Sequence, residues 1–153
     1  MSISVKLNAI IEGMEFQTEE SCSYVNKKTG EIVWITDEEI EAVEGDDPIE
    51  NFPAWQHESI KTARKILETD DYISLPSKFD IHEYNIMERF CLSIEDDEVR
   101  DIMYKSIKGE GAFRRFKDNI QRYNITEDWY KFREEAFKEI AIDWCKENDF
   151  SYT

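Results

Sequence analysis

The chain has 153 residues, of which 35 are acidic and 19 basic, so its formal net charge is −16. Hydrophobic residues make up 41% and aromatic residues 13%, which excludes an intrinsically disordered chain and is enough to form a core. The negative charge opposes binding to duplex nucleic acid and to anionic membranes, and it favours basic partners. No apolar run of about twenty residues is present, so we expect no membrane-spanning segment.

The N-terminal part is predicted to form one helix and a two-stranded β-hairpin. Apolar residues recur at helical spacing over residues 3–16, which favours an amphipathic helix. Ser21–Asn26 and residues 31–36 are rich in strand-forming side chains. Gly30 lies between these two segments and can adopt the positive φ that a hairpin loop needs.

The segment 37–50 has eight carboxylates and no base, with Gly45 and Pro48 inside it. Glycine and proline interrupt regular structure, so a short helix or a loop is expected. We place the domain boundary at its end, with an N-terminal unit over 1–50 packed on a helical domain over 51–153. The acidic segment itself is a candidate docking strip for a basic protein, or a mimic of nucleic-acid charge.

The second part is predicted to be a compact helical domain of four to six helices, because apolar residues recur at helical spacing between turn signals. The expected helices cover 53–68, 80–94, 95–109, 112–123 and 126–148. Leu75 directly precedes Pro76, and a residue in that position avoids the helical conformation. Residues 72–76 are therefore expected to be extended. Asp80 and Glu83 are interpreted as a capping box. The fold class is therefore mainly α, of the α+β type.

Large aromatic side chains are expected to fill the core of the helical domain. They are Phe90, Phe113, Phe116, Phe132 and Trp144. The last helix has more aromatic residues than one apolar stripe needs, so Tyr130 or Phe137 is expected at the edge of a partner surface.

The cysteines Cys22, Cys91 and Cys145 are isolated and odd in number, and the histidines His57 and His82 lie far apart. This spacing predicts free thiols, with no disulfide framework, metal site or cofactor. Free thiols are typical of a reducing compartment, and no cleavable signal is visible at the N-terminus, so we expect a cytoplasmic protein.

One basic stretch interrupts the acidic chain, with six basic residues and two acids between residues 105 and 122. Glycines before a helix leave backbone N–H groups exposed, and arginines beside them can hold an anion. The candidate residues for anion or partner binding are Gly109, Gly111, Arg114, Arg115, Lys117 and Arg122. The structural alternative is that outward-pointing arginines pair with carboxylates such as Glu88, Glu139 or Asp143.

Catalytic chemistry has little support in the sequence. His82 beside Glu83 could act in general acid–base catalysis, but a helix cap explains the same residues. The paired carboxylates, such as Asp96 and Asp97, lack the ligand spacing of a calcium loop. We assign no catalytic residue, and the sequence favours a non-enzymatic role without excluding an enzyme.

Several stretches together resemble one bacterial family. They are residues 28–31, 75–76, 83–90, 109–118 and 129–133, and the Gly-Ala-Phe-Arg-Arg-Phe-Lys block from Gly111 to Lys117 is the most specific of them. The chain resembles uncharacterised protein family 0158 over nearly its whole length. The resemblance implies a bacterial, cytosolic protein and no assigned activity.

We expect a small acidic interaction or regulatory module that binds a protein partner. The alternative is binding of an anion or a nucleic-acid phosphate at the basic helix between Gly109 and Arg122. A weaker alternative is a hydrolase that uses His82 and neighbouring carboxylates. Duplex nucleic acid and membranes are not expected as partners, and the sequence leaves the oligomeric state open.

Overall fold

The computed structural model describes residues 3–153, which are mainly α-helical with two small sheets, as the sequence predicts. The helices are α1 (Leu7–Phe16), α2 (Asp37–Glu44), α3 (His57–Glu68), α4 (Lys78–Ile81), α5 (Glu83–Ser93), α6 (Asp97–Ser106), α7 (Ala112–Arg122) and α8 (Thr126–Glu147). The strands are β1 (Ser4–Val5), β2 (Ser21–Asn26), β3 (Ile32–Thr36), β4 (Tyr72–Ser74) and β5 (Ser151–Tyr152).

The chain packs into two compact units. One contains the residues up to Ile81 together with Ile140–Thr153, and the other contains His82–Glu139. Helix α8 therefore contributes residues to both units. These divisions differ from the predicted boundary at residue 50, since the hairpin and the acidic helix α2 pack with α3 in the first unit.

The first helix is shorter than predicted. Residues 3–16 were expected to be helical, but Ser4–Val5 is a strand that pairs in parallel with Ser151–Tyr152. Helix α1 starts at Leu7, whose backbone N–H donates to the carbonyl of Thr153 at 3.2 Å. The apolar spacing of residues 3–6 fits a helix equally well, so only pairing with a distant segment selects the strand.

The predicted hairpin is present, and it belongs to a larger sheet. Strands β2 and β3 are antiparallel, with Ser21 opposite Thr36 and Val25 opposite Ile32. Gly30 in the loop has a φ of 77°, the left-handed conformation expected of it. The sheet has three strands rather than two, because β4 pairs with β2 to give the order β3-β2-β4.

Helix α1 lies on one face of this sheet and approaches it closely at Gly13. A Cβ atom at this position would lie 2.5 Å from Leu75 Cδ1 and 3.3 Å from Ile32 Cγ2, so a larger residue would require the Leu75 side chain or the helix to shift. Ser23, on the same face, donates its hydroxyl to the Gly13 carbonyl at 2.8 Å. Glycine in this helix is therefore explained by contact with the sheet.

The opposite face of the sheet packs against α2 and α3. Ile35 from β3 is buried with Val43 of α2 and with Ile60 and Ala63 of α3. Helix α2 begins with a capping box, in which the N–H of Glu39 donates to Thr36 Oγ1 and the N–H of Thr36 donates to Glu39 Oε1. Residues 37–50, for which the sequence predicted a short helix or a loop, therefore begin with the helix α2 and continue as a loop.

The second unit has an aromatic core. The Phe116 ring packs edge-on against Trp129 at a centroid distance of 4.7 Å and against Phe90 at 6.0 Å. Phe132 joins this cluster through a 5.5 Å contact with Phe90. Phe113 was expected to be buried, but 50% of it is exposed, since it lies at the edge of the apolar face of α7.

Two other expectations for this region need correction. Trp144 is buried, but it stacks on Phe150 in the first unit and is not part of the aromatic cluster. Asp80 caps α4 by accepting the N–H of Ser77 at 3.0 Å, so it does not form a capping box with Glu83. A side chain can cap whichever helix start lies nearest in space, and the sequence pattern fits both starts.

Phe116→Ala is expected to lower the free energy of unfolding by about 3–5 kcal/mol, because a ring with 2% exposure leaves a cavity among other rings. Phe113→Ala is the matched control on the same helix, and its half-exposed ring should contribute less than half as much. Urea unfolding measures both changes. Equal losses for the two variants would contradict the helix orientation.

All three cysteines are free in the structure, as the sequence predicts. Burial raises the pKa of the Cys91 thiol to about 11, so near pH 8 only about one thiol in a thousand is ionised. Cys22 is partly exposed, whereas Cys91 and Cys145 are buried. We expect a thiol reagent to modify Cys22 first in the folded protein and to detect three thiols after unfolding without reductant. Fast native labelling of Cys91 would contradict this packing.

Candidate functional site

The basic stretch begins with two left-handed glycines in front of α7. Gly109 has a φ of 83° and Gly111 has a φ of 76°. A Cβ atom at Gly109 would contact nothing within 4 Å, so the glycine is required by the backbone conformation and not by lack of space. Gly111 is the N-cap residue of α7, and no side chain of the described residues caps this helix start.

Arg115 binds the loop that precedes its own helix. Its Nε donates to the carbonyl of Ser106 at 2.6 Å, and its Nη2 donates to the carbonyl of Lys108 at 2.8 Å. Its Nη1 donates to the carbonyl of Glu110. The guanidinium thus holds together the end of α6 and the turn, and it forms no ion pair with Glu88, Glu139 or Asp143.

The other candidate cations lie on the surface. Arg114, Lys117 and Arg122 are exposed, and within residues 3–153 none of them forms an ion pair. The carboxylate of Glu88 is instead 3.5 Å from Lys108 Nζ. Anion binding by the basic stretch therefore stays a prediction, with Arg115 already occupied by backbone carbonyls.

The histidine candidates are not brought into a catalytic arrangement. Glu83 accepts a 2.8 Å hydrogen bond from Arg133 Nε, and His82 is exposed with a φ of 52°. His57 Nε2 lies 2.9 Å from the Phe52 carbonyl. Among the described residues, no three His, Cys, Asp or Glu side chains are grouped closely enough to hold a metal ion.

A site that the sequence reasoning missed surrounds Trp34 on the edge strand β3. This indole is 48% exposed, although its Nε1 donates to Ser21 Oγ at 3.0 Å and so fixes the ring across the hairpin. The alternation of β3 places Trp34 on the same face as Ile32, toward α1. A tryptophan beside an acidic segment was the sequence signal that could have indicated this site.

An acidic pocket lies on one side of Trp34, with a volume of about 450 Å³. Its carboxylates are those of Glu20, Asp37, Glu38 and Glu41. Within residues 3–153 none of the four is within ion-pair distance of a Lys or Arg side chain. The negative charge of Asp37 also adds to the effect of burial in raising the pKa of the Cys22 thiol.

An apolar groove of about 250 Å³ lies on the other side of Trp34, between α1 and β3. Phe16 and Ala9 of α1 form one wall, and Ile32 and Val33 of β3 form the other. Phe16 is 68% exposed, which is unusual for a large apolar side chain beside a second exposed ring. We call Trp34, the acidic pocket and this groove together the Trp34 surface.

Arg115→Ala is expected to lower the free energy of unfolding by about 1–3 kcal/mol, because three carbonyls of one turn, including the part-buried one of Ser106, lose a charged donor. Arg114→Ala, the neighbouring control, should change it by less than about 0.5 kcal/mol. Urea unfolding of both variants, with and without phosphate, measures the difference. Equal stabilities, together with phosphate stabilisation that only the wild type shows, would instead support an anion site.

No helix within residues 3–153 is both long and apolar enough to cross a membrane. No solved structure matches this chain. UPF0158 protein PA5073 from Pseudomonas aeruginosa is 26% identical over 65 residues, and this alignment covers 42% of the chain and 42% of the relative, less than half of its length. The model of the Uncharacterised protein family (UPF0158) matches residues 2–153. The chain therefore belongs to this family.

Proposed function

We propose that this protein is a non-enzymatic interaction module that binds a basic segment of a protein partner at the Trp34 surface. The observation that carries the proposal is the exposed indole of Trp34 between an apolar groove and a pocket with four carboxylates that form no ion pair within residues 3–153. Tryptophan is one of the side chains enriched among the residues that contribute most of the binding energy at the centres of protein interfaces. The face of an indole also attracts lysine and arginine.

The charge distribution supports a basic partner. Residues 1–58 have fourteen acids and three bases, and the four pocket carboxylates belong to this part of the chain. Such a field accelerates association with a cationic partner and repels polyanions. The proposal includes a bacterial, cytoplasmic protein, in agreement with the family relative and with the three free thiols.

Anion binding at the basic stretch is the second candidate. The exposed side chains Arg114, Lys117 and Arg122 on α7 support it, whereas the use of Arg115 on the loop carbonyls weakens it. The overall charge of −16 further opposes a polyanion. The basic partner is favoured because the four pocket carboxylates have the same sign as the net charge of the chain and lie beside the exposed ring of Trp34.

The test is a titration of the ¹⁵N-labelled protein with a synthetic peptide that has lysines at both ends of an alternating valine–threonine core. We expect shifts of the Trp34 indole N–H signal and of the amides in the first turn of α2. Trp34→Ala should weaken binding about tenfold, as for a central aromatic contact. Glu38→Gln with Glu41→Gln should weaken it about three- to tenfold at low salt.

The matched control is Glu134→Gln with Glu135→Gln, which removes the same charge from two exposed positions of α8. This pair should leave the affinity nearly unchanged if the acidic pocket is the binding site. Equal weakening by both pairs would mean that only net charge attracts the peptide. No signal change at Trp34 with excess peptide would contradict the proposed function.

A further inference from the structure

Strand β3 is an edge of the sheet, and its backbone groups can be assigned to one side or the other. The N–H of Asn26 donates to the carbonyl of Glu31 at 2.8 Å, and the N–H of Asp37 donates to that of Glu20, also at 2.8 Å. Hydrogen-bonded pairs in an antiparallel ladder recur every second residue. Val33 and Ile35 therefore bond to β2, and the N–H and C=O groups of Ile32 and Trp34 point away from it.

Nothing in the described part of the chain pairs with these outward groups. Within residues 3–153, neither Ile32 nor Trp34 has a backbone hydrogen bond on that side. At the end of the strand, the N–H of Thr36 is already bound by Glu39 Oε1, so the open part of the edge covers two outward residues. Both of them line the apolar groove.

The opposite edge of the same sheet is protected. The N–H of Leu75 donates to the carbonyl of Ser23, so Ser74 of β4 points outward by the same alternation. Its carbonyl accepts the indole N–H of Trp144 at 3.1 Å, and Pro76 lies two residues after the end of the strand. Such covering and a nearby proline are the usual ways of preventing strand addition.

Strand β3 has none of these devices. Its sequence, Ile32-Val33-Trp34-Ile35-Thr36, contains no charge and no proline, and its register with β2 has no bulge. An uncharged apolar edge is a template for another strand unless something occupies it. The helix α1 forms a wall beside this edge, and its residue Phe16 is exposed toward the groove.

We infer that the partner binds by strand addition: an extended segment pairs with the backbone of Ile32 and Trp34, places alternate apolar side chains in the groove and directs a lysine or arginine into the acidic pocket. This inference rests on the proposed function and specifies its mode of recognition. The pocket lies at the C-terminal end of β3, where Asp37 and Glu38 follow the strand, so one added segment can reach both features.

Charge excludes a second copy of this chain as the favoured occupant. Each copy has a net charge of −16, and the surface to be covered is itself lined by carboxylates. Two such surfaces repel each other, whereas a cationic segment complements either one. A dimer formed through β3 is therefore an outcome that would overturn the inference.

The experiment compares the lysine-flanked peptide with two analogues, one N-methylated on every valine and the other on every threonine. All three have the same charge, and the analogues have the same number of methyl groups, but each analogue blocks hydrogen bonding on one edge of the peptide. We expect one analogue to bind within about threefold of the parent and the other to lose about tenfold or more. Equal affinities of the two analogues overturn strand addition.

Amide exchange in the protein gives a second measurement. Bound peptide should slow exchange at Ile32 and Trp34 about tenfold or more, while Val33 and Ile35, which already bond to β2, serve as the internal reference. If Trp34→Ala weakens binding but the Ile32 amide is not protected, the proposed function stands and strand addition fails. If no peptide binds, both fail. Protection of these amides in the free protein, with a dimer in sedimentation, shows a second copy on the edge.

Discussion

The antiparallel register of β2 with β3 is the constraint on which the first unit depends. It places Ser21 opposite Thr36 and so fixes which side chains face each side of the sheet. A shift by one residue would move Ile35 out of its cluster with α2 and α3 and would exchange it with Trp34. The same register decides which backbone groups of β3 remain unpaired.

The sheet is joined to the helices on its two faces by close contacts. Because Gly13 has no Cβ atom, α1 lies so close to the sheet that a side chain at this position would collide with Leu75. The hydroxyl of Ser23 also donates to the Gly13 carbonyl. On the other face, the capping box between Thr36 and Glu39 joins the end of β3 directly to α2. Because the strand and the acidic helix are joined without a loop, the carboxylates of Asp37 and Glu38 are held beside the exposed indole.

The basic stretch illustrates how a chemically suggestive motif can have a structural role. Its two glycines adopt left-handed conformations that turn the chain between α6 and α7, and Arg115 binds three carbonyls of this turn. An arginine offers several N–H donors in a fixed plane, which suits a group of carbonyls as well as it suits an anion. The acidic pocket beside Trp34, whose carboxylates form no ion pair in the described part of the chain, is the better candidate for binding.

Local patterns determined much of this fold. Periodicity and turn residues were sufficient for the hairpin, for α7 and for α8, because their hydrogen bonds lie within one segment or between neighbouring segments. The spacing of the cysteines predicted free thiols, which the structure contains. The family resemblance was likewise visible in the block from Gly111 to Lys117, and the family match confirms it.

Only the tertiary structure decided the pairing of β1 with β5, the addition of β4 to the hairpin and the exposure of Trp34. These features depend on contacts between residues far apart in the chain, and a short apolar segment is compatible with a helix, a buried strand or an edge strand. The sequence by itself showed that an uncharged apolar strand is followed directly by an acidic segment. Which neighbours cover β3, and therefore which of its atoms remain available to a partner, depends on where α1 and α2 pack.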